Sequence, residues 1–597
     1  MCGVAAIFAY GADAAPVDEA ELLAIRDAMV ARGPDDAGLW LSEDHHIGLA
    51  HQRLSIIDPS PAGAQPMVHG ERDLRITFNG EIYNYRSLRD GLIAEGHVFR
   101  SHSDTEVLLH LYDRDGPDMV RHLRGMYAFA IWDGDRRGLF LARDPFGIKP
   151  LYYADDGRTF RFASQVKALL AGGGVKTAPE PAGHVGFHLW GYVPEPYTLF
   201  ASIRAMPAGS SLWIDSGGAQ EARRFFDVAE EYAAAIDAAA DAGADAPVDG
   251  ERLRAALADS VAHHLVADVP VGLFLSAGLD SATVLGLAAE RASSALRTVT
   301  LAFDEYAGTE LDEAPLAAET ARLYGADHRT QRVSGADFAA DREALLKAMD
   351  QPSIDGVNSY FVAKAAAETG LKVALSGLGG DELFGGYPSF RQLPRLVAAL
   401  GPLRPLRALG RGLRIVAAPL IRHFTSSKYA GLLELGTSYG DAYLLRRGLF
   451  MPWELPDVLD GEMVAAGWRE LDSLARLENG LKNPRAAVSA LEICWYMRNQ
   501  LLRDADWAGM AHSLEIRTPL VDIDLFRALA PMLVPAAPPS KQDMACTPRP
   551  ALPRAVLARP KSGFAVPVRD WLQGDAGEAR GLRGWARVVH AECYDLA

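Results

Sequence analysis

The chain begins Met1-Cys2-Gly3, which puts a thiol one residue from its start. A small second residue lets the initiator methionine be trimmed, and Cys2 would then carry a sulfur nucleophile and a free α-amine on one carbon frame. An α-amine titrates near about 7.7 to 8.0, so it can take the thiol proton as the sulfur attacks a carbonyl. A cysteine at position 2 is also an ordinary small residue, so the chemistry needs partners elsewhere. Asn79-Gly80 supplies two: a side-chain amide and a backbone N–H able to hold the oxyanion of a tetrahedral intermediate, or else simply an Asn-Gly turn. Arg53 could clamp an α-carboxylate with its planar fork, and Glu81 and Asp104 could take an α-ammonium, although each could equally be a surface charge.

A second group lies two hundred residues on. The run Val269-Pro270-Val271-Gly272-Leu273-Phe274-Leu275 leads into Ser276-Ala277-Gly278-Leu279-Asp280-Ser281 and then a helical pattern. A strand, a small-residue turn with hydroxyls and a helix N-terminus make an anion cradle, because backbone N–H groups and the helix dipole face the turn. It is not a Walker loop, since no Gly-Lys-Ser/Thr follows, and a bare strand-to-helix turn has the same short string.

The elements that must hold these groups fall into two patterns. After Gly3 a short apolar strand would plant Cys2 at its end, a helix is expected from Asp18 to Val30, and short strands follow at 51–58, 74–78 and 138–142, as sheets packed face to face require. Beyond 250, strands alternate with helices, which implies a parallel sheet with its ligand at the strand C-terminal edge. Between Phe226 and Val248 the chain is rich in Ala and Asp and lacks aliphatic bulk, so it reads as a flexible connector or exposed insertion.

Length and composition agree with that division. A chain of 597 residues is too long for one core, and 49% hydrophobic residues indicate folded domains. Cys2, Cys494, Cys546 and Cys593 form no CxxC pair, which argues against a zinc site or a disulfide framework and for a reducing compartment. There is no basic-plus-apolar signal segment and no run of 18 apolar residues, so the protein reads as cytoplasmic. A formal net charge of −17 works against nonspecific nucleic-acid binding.

Taken in order, Cys2-Gly3, Arg53-Leu54-Ser55-Ile56, Asn79-Gly80-Glu81-Ile82-Tyr83-Asn84, Ser103-Asp104, Gly125 to Ala130 and Arg143 to Tyr152 resemble the glutaminase domain of class II glutamine amidotransferases. The resemblance implies an α+β N-terminal-nucleophile αββα sandwich over residues 2–215. It assigns Cys2 as nucleophile and base, Asn79 and Gly80 to the oxyanion hole, and Arg53, Leu54, Ser55, Ile56, Ile57, Asn79, Gly80, Glu81 and Asp104 to glutamine binding. Gln165 stands where relatives usually carry Glu, which would alter a relay between domains.

The loop Ser276–Ser281, the segment Ser376-Gly377 to Tyr387, the run Met510 to Pro519 and Arg559-Pro560-Lys561-Ser562-Gly563-Phe564 resemble the synthetase domain of glutamine-hydrolysing asparagine synthetases. That implies an α/β parallel-sheet ATP-pyrophosphatase domain with extra helices over 249–597, joined through a linker or insertion at 216–248. By residue match, Leu275, Ser276, Gly278, Asp280, Ser281, Leu301, Ser376 and Gly377 would bind ATP, Asp280 and Asp381 would ligate Mg2+, and Lys561 would neutralise charge on the transferring phosphate. The implied activity is AMP- and pyrophosphate-forming amidation of a carboxylate, aspartate to asparagine, with ammonia passed between the sites.

Two departures bear on the acceptor. Leu378 stands where Ser-Gly-Glu-Gly is usual, and an isobutyl group cannot mimic that carboxylate, so either Glu382 or Glu313 substitutes or the acceptor is another acid. Trp507 stands where Arg is common. Expected partners are glutamine, ATP and a carboxylate acceptor, with no nucleic acid and no membrane, and a homodimer as the assembly to test. Two rivals remain: an amide former using an internal amine, opposed by the intact Cys2 set, and an inactive scaffold, suggested by Leu378 and Ala277.

Overall fold

The structure, a computed structural model, describes residues 2–242, 249–292, 294–421, 426–471, 480–560, 566–571 and 582–595. In the N-terminal half two antiparallel sheets stack face to face. The strand Gly3–Ala9 lies inside a six-stranded sheet between Thr159–Ala163 and Ile47–Arg53, while Leu74–Ile82 and Gly125–Asp133 pair within a seven-stranded sheet. The alternation of side chains decides which face goes where. Val4, Ala6 and Phe8 join Ala128, Ala130 and Trp132 between the sheets, whereas Ala5, Ile7 and Ala9 face outward onto Leu22 and Ile25 of the helix Glu19–Asp27. On the other outer face, Phe78, Phe129 and Ile131 pack under the helix Asp104–Asp115. This is the expected αββα sandwich.

Several elements differ from their sequence reading. The first helix ends at Asp27 and is followed by a separate short turn, Val30–Arg32. The strand expected at 51–58 occupies Ile47–Arg53, and Leu54–Asp58 leave the sheet to form a loop. The strand read as 74–78 continues to Ile82, so Asn79 and Gly80 sit within it, opposite Ala128 and Tyr127, and the hairpin-turn alternative is excluded. A Cβ on Gly80 would come within 2.1 Å of the Met126 carbonyl oxygen, so glycine is needed there for close approach of backbones.

The stretch 216–248, read as a linker or insertion, carries more structure than its composition suggests. Gly218–Ala219 and Arg223–Arg224 both pair with Ser210–Asp215 and extend the second sheet. Val228–Ala242 is a helix whose Val228, Tyr232 and Ala235 are buried against the C-terminal half, with the Tyr232 hydroxyl 2.7 Å from Ser489 Oγ. One aromatic and two small apolar residues at helical spacing are enough to dock it. Residues 243–248 lie outside the described residues.

The C-terminal half is built on five parallel strands in the order Asp327–Val333, Arg297–Phe303, Val271–Phe274, Val373–Leu375, Glu515–Arg517. Strand order reverses at Val271–Phe274, whose neighbours are the next strand on one side and a much later one on the other. In an open parallel sheet the crevice outside such a switch point is where ligands bind. The helices Gly250–His264 and Leu279–Ala289 and a large α-helical region after Ser389 complete it.

Candidate active sites

Cys2 is buried at the mouth of its strand. Its backbone nitrogen donates to Asn79 Oδ1 at 2.9 Å, and Sγ lies 4.0 Å from the Leu54 carbonyl oxygen. The Asn79 Nδ2 is buried and has no hydrogen-bond partner among the described residues. An unpaired buried amide costs free energy, and here it is the donor that an oxyanion beside Cys2 would engage. Burial pushes the Cys2 thiol pKa up, so the sulfur needs a nearby base to become a thiolate.

Around this pair the predicted glutamine groups converge. Arg53 donates to the carbonyl oxygens of Asp58 at 2.5 Å and Ser60 at 3.1 Å, which folds the loop 54–60 around its guanidinium. Asp104 Oδ2 accepts from the Ile82 N–H at 3.0 Å, and burial pushes this carboxyl up to about 6. Ser55 N–H donates to Asp35 Oδ2 at 2.7 Å, while Leu54, Ile56 and Ile57 are buried alongside.

Near Cys2 an ion cluster joins Glu81 to the far end of the chain. Arg517 reaches Glu81 at 3.2 Å and Glu515 at 2.6 Å, all three buried. Burial raises the Glu81 pKa in spite of Arg517, whereas positive neighbours including Arg517 and Lys149 outweigh burial at Glu515 and hold it low. Arg32 donates to the Cys2 carbonyl at 3.0 Å and forms a two-pronged pair with Asp506, at 2.7 and 3.2 Å. Sequence reasoning assigned no role to Arg32, Asp506, Glu515 or Arg517. Partners more than four hundred positions away leave no local signature.

The second group also assembles. Leu275, Ser276, Gly278, Asp280, Ser281, Leu301, Ser376 and Gly377, together with Asp381, line one cavity of about 270 Å³ at the switch point of the parallel sheet. Ser281 Oγ accepts from the Ser276 N–H at 3.1 Å and lies 2.9 Å from Ser276 Oγ, which curls the loop over the N-terminus of the helix Leu279–Ala289. A Cβ on Gly377 would sit 2.8 Å from the Ser281 nitrogen, so the second loop can lie against the first only as glycine. The Lys541 ammonium bridges Asp280, at 2.6 Å, and Asp381. Burial alone would lower its pKa, but the two carboxylates raise it.

Residues 1–226 match the glutamine amidotransferase domain family and residues 252–584 the asparagine synthase family. The chain belongs to the glutamine-hydrolysing asparagine synthetase family. It is 33% identical to asparagine synthetase [glutamine-hydrolyzing] 1 of Bacillus subtilis, over 99% of this chain and 90% of that protein. It is 36% identical to a putative asparagine synthetase [glutamine-hydrolyzing] of Mycobacterium bovis, over 98% of this chain and 90% of that one. Among solved structures, the glutamine phosphoribosylpyrophosphate amidotransferase of B. subtilis complexed with ADP and GMP aligns with 55% of this chain and 81% of its own, at 17% identity and a TM-score of 0.30. No described helix is long and apolar enough to cross a membrane.

Within this asparagine-synthetase framework the departures take definite places. Leu378 lines the cavity beside Val362, Ala505 and Ile516, making that wall apolar. Glu382 lines it too, accepts from the Tyr387 hydroxyl at 2.8 Å, and is pushed up to about 8 by burial and by Asp381. Glu313 is drawn away to the first loop, where it pairs with Arg559 at 3.0 Å and accepts from the Ala277 N–H at 3.3 Å. Trp507 is buried and donates through Nε1 to Asp504 at 2.8 Å. Lys561 lies outside the described residues.

The Gln165 position falls on the joint between the halves. Gln165 precedes the helix Val166–Ala171, and the free N–H groups of Val166 and Lys167 donate to Asp350 of the C-terminal half at 3.0 and 3.1 Å. The helix is thus capped from the other domain, and Lys167 Nζ returns the contact to the Lys347 and Ala348 carbonyls at 3.1 and 2.9 Å.

Proposed function

We propose that this enzyme releases ammonia from glutamine at Cys2 and uses it to amidate a carboxylate activated with ATP in the cavity at the parallel sheet, the most direct acceptor being aspartate. The unpartnered Asn79 Nδ2 beside Cys2 is the observation that carries the reading: it is a donor held ready for charge that exists only during acyl transfer. Once Met1 is removed, the Cys2 nitrogen becomes an amine and takes the thiol proton. Sγ bonds to the glutamine side-chain carbon, Asn79 Nδ2 and the Gly80 N–H hold the oxyanion, and the protonated amine gives its proton to the departing ammonia. Water then cleaves the thioester to glutamate. Glu81 and Asp104 receive the substrate ammonium and Arg53 its carboxylate.

In the second site, Ser276, Gly278 and Ser281 present hydroxyls and N–H groups to the pyrophosphate portion of ATP, and Leu275 and Leu301 face the nucleoside. The acceptor carboxylate displaces pyrophosphate, and ammonia then displaces AMP. Asp280 and Asp381 are hard oxygen donors that fit Mg2+ arriving with the phosphates, although Lys541 must release them. When bound, the ion would neutralise phosphate charge; Lys561 is proposed to do the same on the group in transfer.

One observation favours a second reading. The Leu378 wall replaces a carboxylate with apolar surface, which suits an acceptor bulkier than aspartate. Mass spectrometry of products from glutamine, ATP, Mg2+ and a panel of carboxylic acids decides between them. Asparagine formed strongly in response to aspartate sinks the bulkier acceptor. Cys2→Ala is expected to abolish glutamine-dependent product while sparing product made from added ammonium, and loss of both would remove the two-site reading.

A further inference from the structure

Seven of the thirteen exposed large apolar side chains among the described residues fall between Leu403 and Leu420. Most of them ride on the helix Arg407–Ile421, where Leu409, Leu413, Val416 and Leu420 recur at positions i, i+4, i+7 and i+11, each at least 53% exposed. That spacing puts four aliphatic side chains in one stripe. The helix is docked by a different face: a Cβ on the buried Gly410 would meet Glu434 backbone at 2.8 Å, and Arg414 pairs with Glu434 at 2.8 Å while lying over the Trp453 ring. Its amphipathicity is therefore inverted relative to a helix whose apolar face seals the core. An apolar stripe turned outward at this density marks an interaction surface.

The charge beside it says what kind. Residues 391–421 contain six arginines and no Asp or Glu, in a chain whose net charge is −17. Arg407 and Arg414 are paired with Asp441 and Glu434, while Arg391, Arg395, Arg404 and Arg411 are exposed and make no ion pair among the described residues. We propose that residues 403–421 bind an anionic lipid surface, the leucine and valine stripe entering the headgroup boundary and the free arginines meeting lipid phosphates. The combination of an apolar helix face with flanking cations is what such a surface selects, and long arginine side chains can reach headgroups while their stems lie on apolar surface. A symmetric pairing of two copies through the same stripe would instead bring each patch of unpaired arginines against its own duplicate. The sequence has no apolar run long enough to span a membrane, but the local distribution of charge and apolar surface points to a segment that lies on one. The segment is joined through the helix Ser389–Leu400 to Tyr387, whose hydroxyl meets Glu382 on the cavity wall, so binding would set the synthetase half against the bilayer.

The test is sedimentation of the full chain with vesicles of phosphatidylcholine alone and of phosphatidylcholine mixed with phosphatidylglycerol. The protein is expected to pellet with the mixed vesicles, to stay in solution with the neutral ones, and to be released by salt. Arg404→Ala with Arg411→Ala is expected to lower partitioning roughly thirtyfold, at about 1 kcal/mol per arginine. Leu413→Asp with Val416→Asp is expected to abolish it, with glutaminase activity in solution unchanged as the check on folding. The proposal is overturned if the wild type ignores anionic vesicles or if the variants still pellet. It is also overturned if light scattering shows the stripe buried in an oligomer, or if an acidic protein, and no vesicle, is what the arginine variants lose.

Discussion

At the level of single residues, the proposed glutamine site would trade stability for recognition. Asp104 is buried and its carboxyl is held near 6, above its ordinary 3.8. A carboxyl whose folded pKa is raised binds more protons in the folded than in the unfolded chain between those values, so its effect on stability declines as pH rises from about 3.8 to about 6. In the proposed role it is nevertheless the ionised form that would attract a substrate ammonium. The KM for glutamine is therefore expected to climb as pH falls through about 6, while acceptor binding in the other domain keeps its own profile. Asp104→Asn still accepts from the Ile82 N–H but has no charge. It should melt higher than the wild type at pH 7 and show a KM for glutamine raised about tenfold or more, the loss of one charged hydrogen bond. A KM that is flat from pH 5 to 7 would remove Asp104 from the ammonium site.

At the level of elements, the strands were legible where their burial is simple. Gly3–Ala9 and Gly125–Asp133 alternate between two apolar layers, and Val271–Phe274, Arg297–Phe303 and Val373–Leu375 read as short, largely apolar runs, whereas the polar edge strands Asp327–Val333 and Glu515–Arg517 gave no such signal. Asn79-Gly80 was ambiguous because that dipeptide favours turns, and pairing with Ala128 and Tyr127 overrides the preference. The segment Val228–Ala242 was misleading for a different reason, since its docking depends on Tyr232 and a surface supplied by distant helices. The loops proposed to hold ATP were read as an anion cradle, but nothing in the strand-turn-helix pattern announced Lys541. It opens the helix Lys541–Ala545, an unfavourable place for a cation, and is held there by Asp280 and Asp381. The ammonium occupies the carboxylates that a divalent ion would use. In nucleotide-free protein, Lys541→Met is expected to bind Mn2+, standing in for Mg2+, at least about tenfold more tightly by titration calorimetry. Unchanged Mn2+ affinity would mean that lysine and metal use different oxygens.

At the level of the whole molecule, the two sites are tied by charges buried in the joint, the part least legible in the sequence. Arg32, Asp506, Glu515 and Arg517 have ordinary sequence surroundings, and their meaning appears only when residues hundreds of positions apart meet. The Arg32–Asp506 pair is the most consequential, because Arg32 also donates to the Cys2 carbonyl. Asp506→Ala would strand the Arg32 guanidinium, which is 1% exposed, and breaking one partner of a buried pair costs roughly 3 to 5 kcal/mol. Replacing both residues with apolar ones, Arg32→Met with Asp506→Leu, removes the stranded charge and should recover most of that stability. It cannot restore the 3.0 Å hydrogen bond that fixes the Cys2 carbonyl. The single variant is therefore expected to lose both stability and glutaminase activity. The double variant should melt near the wild type yet form glutamate slowly, with ammonium-dependent product preserved. Thermal unfolding followed alongside the two activities separates these effects. A double variant with full glutaminase activity would show that the pair holds the domains together without positioning the nucleophile.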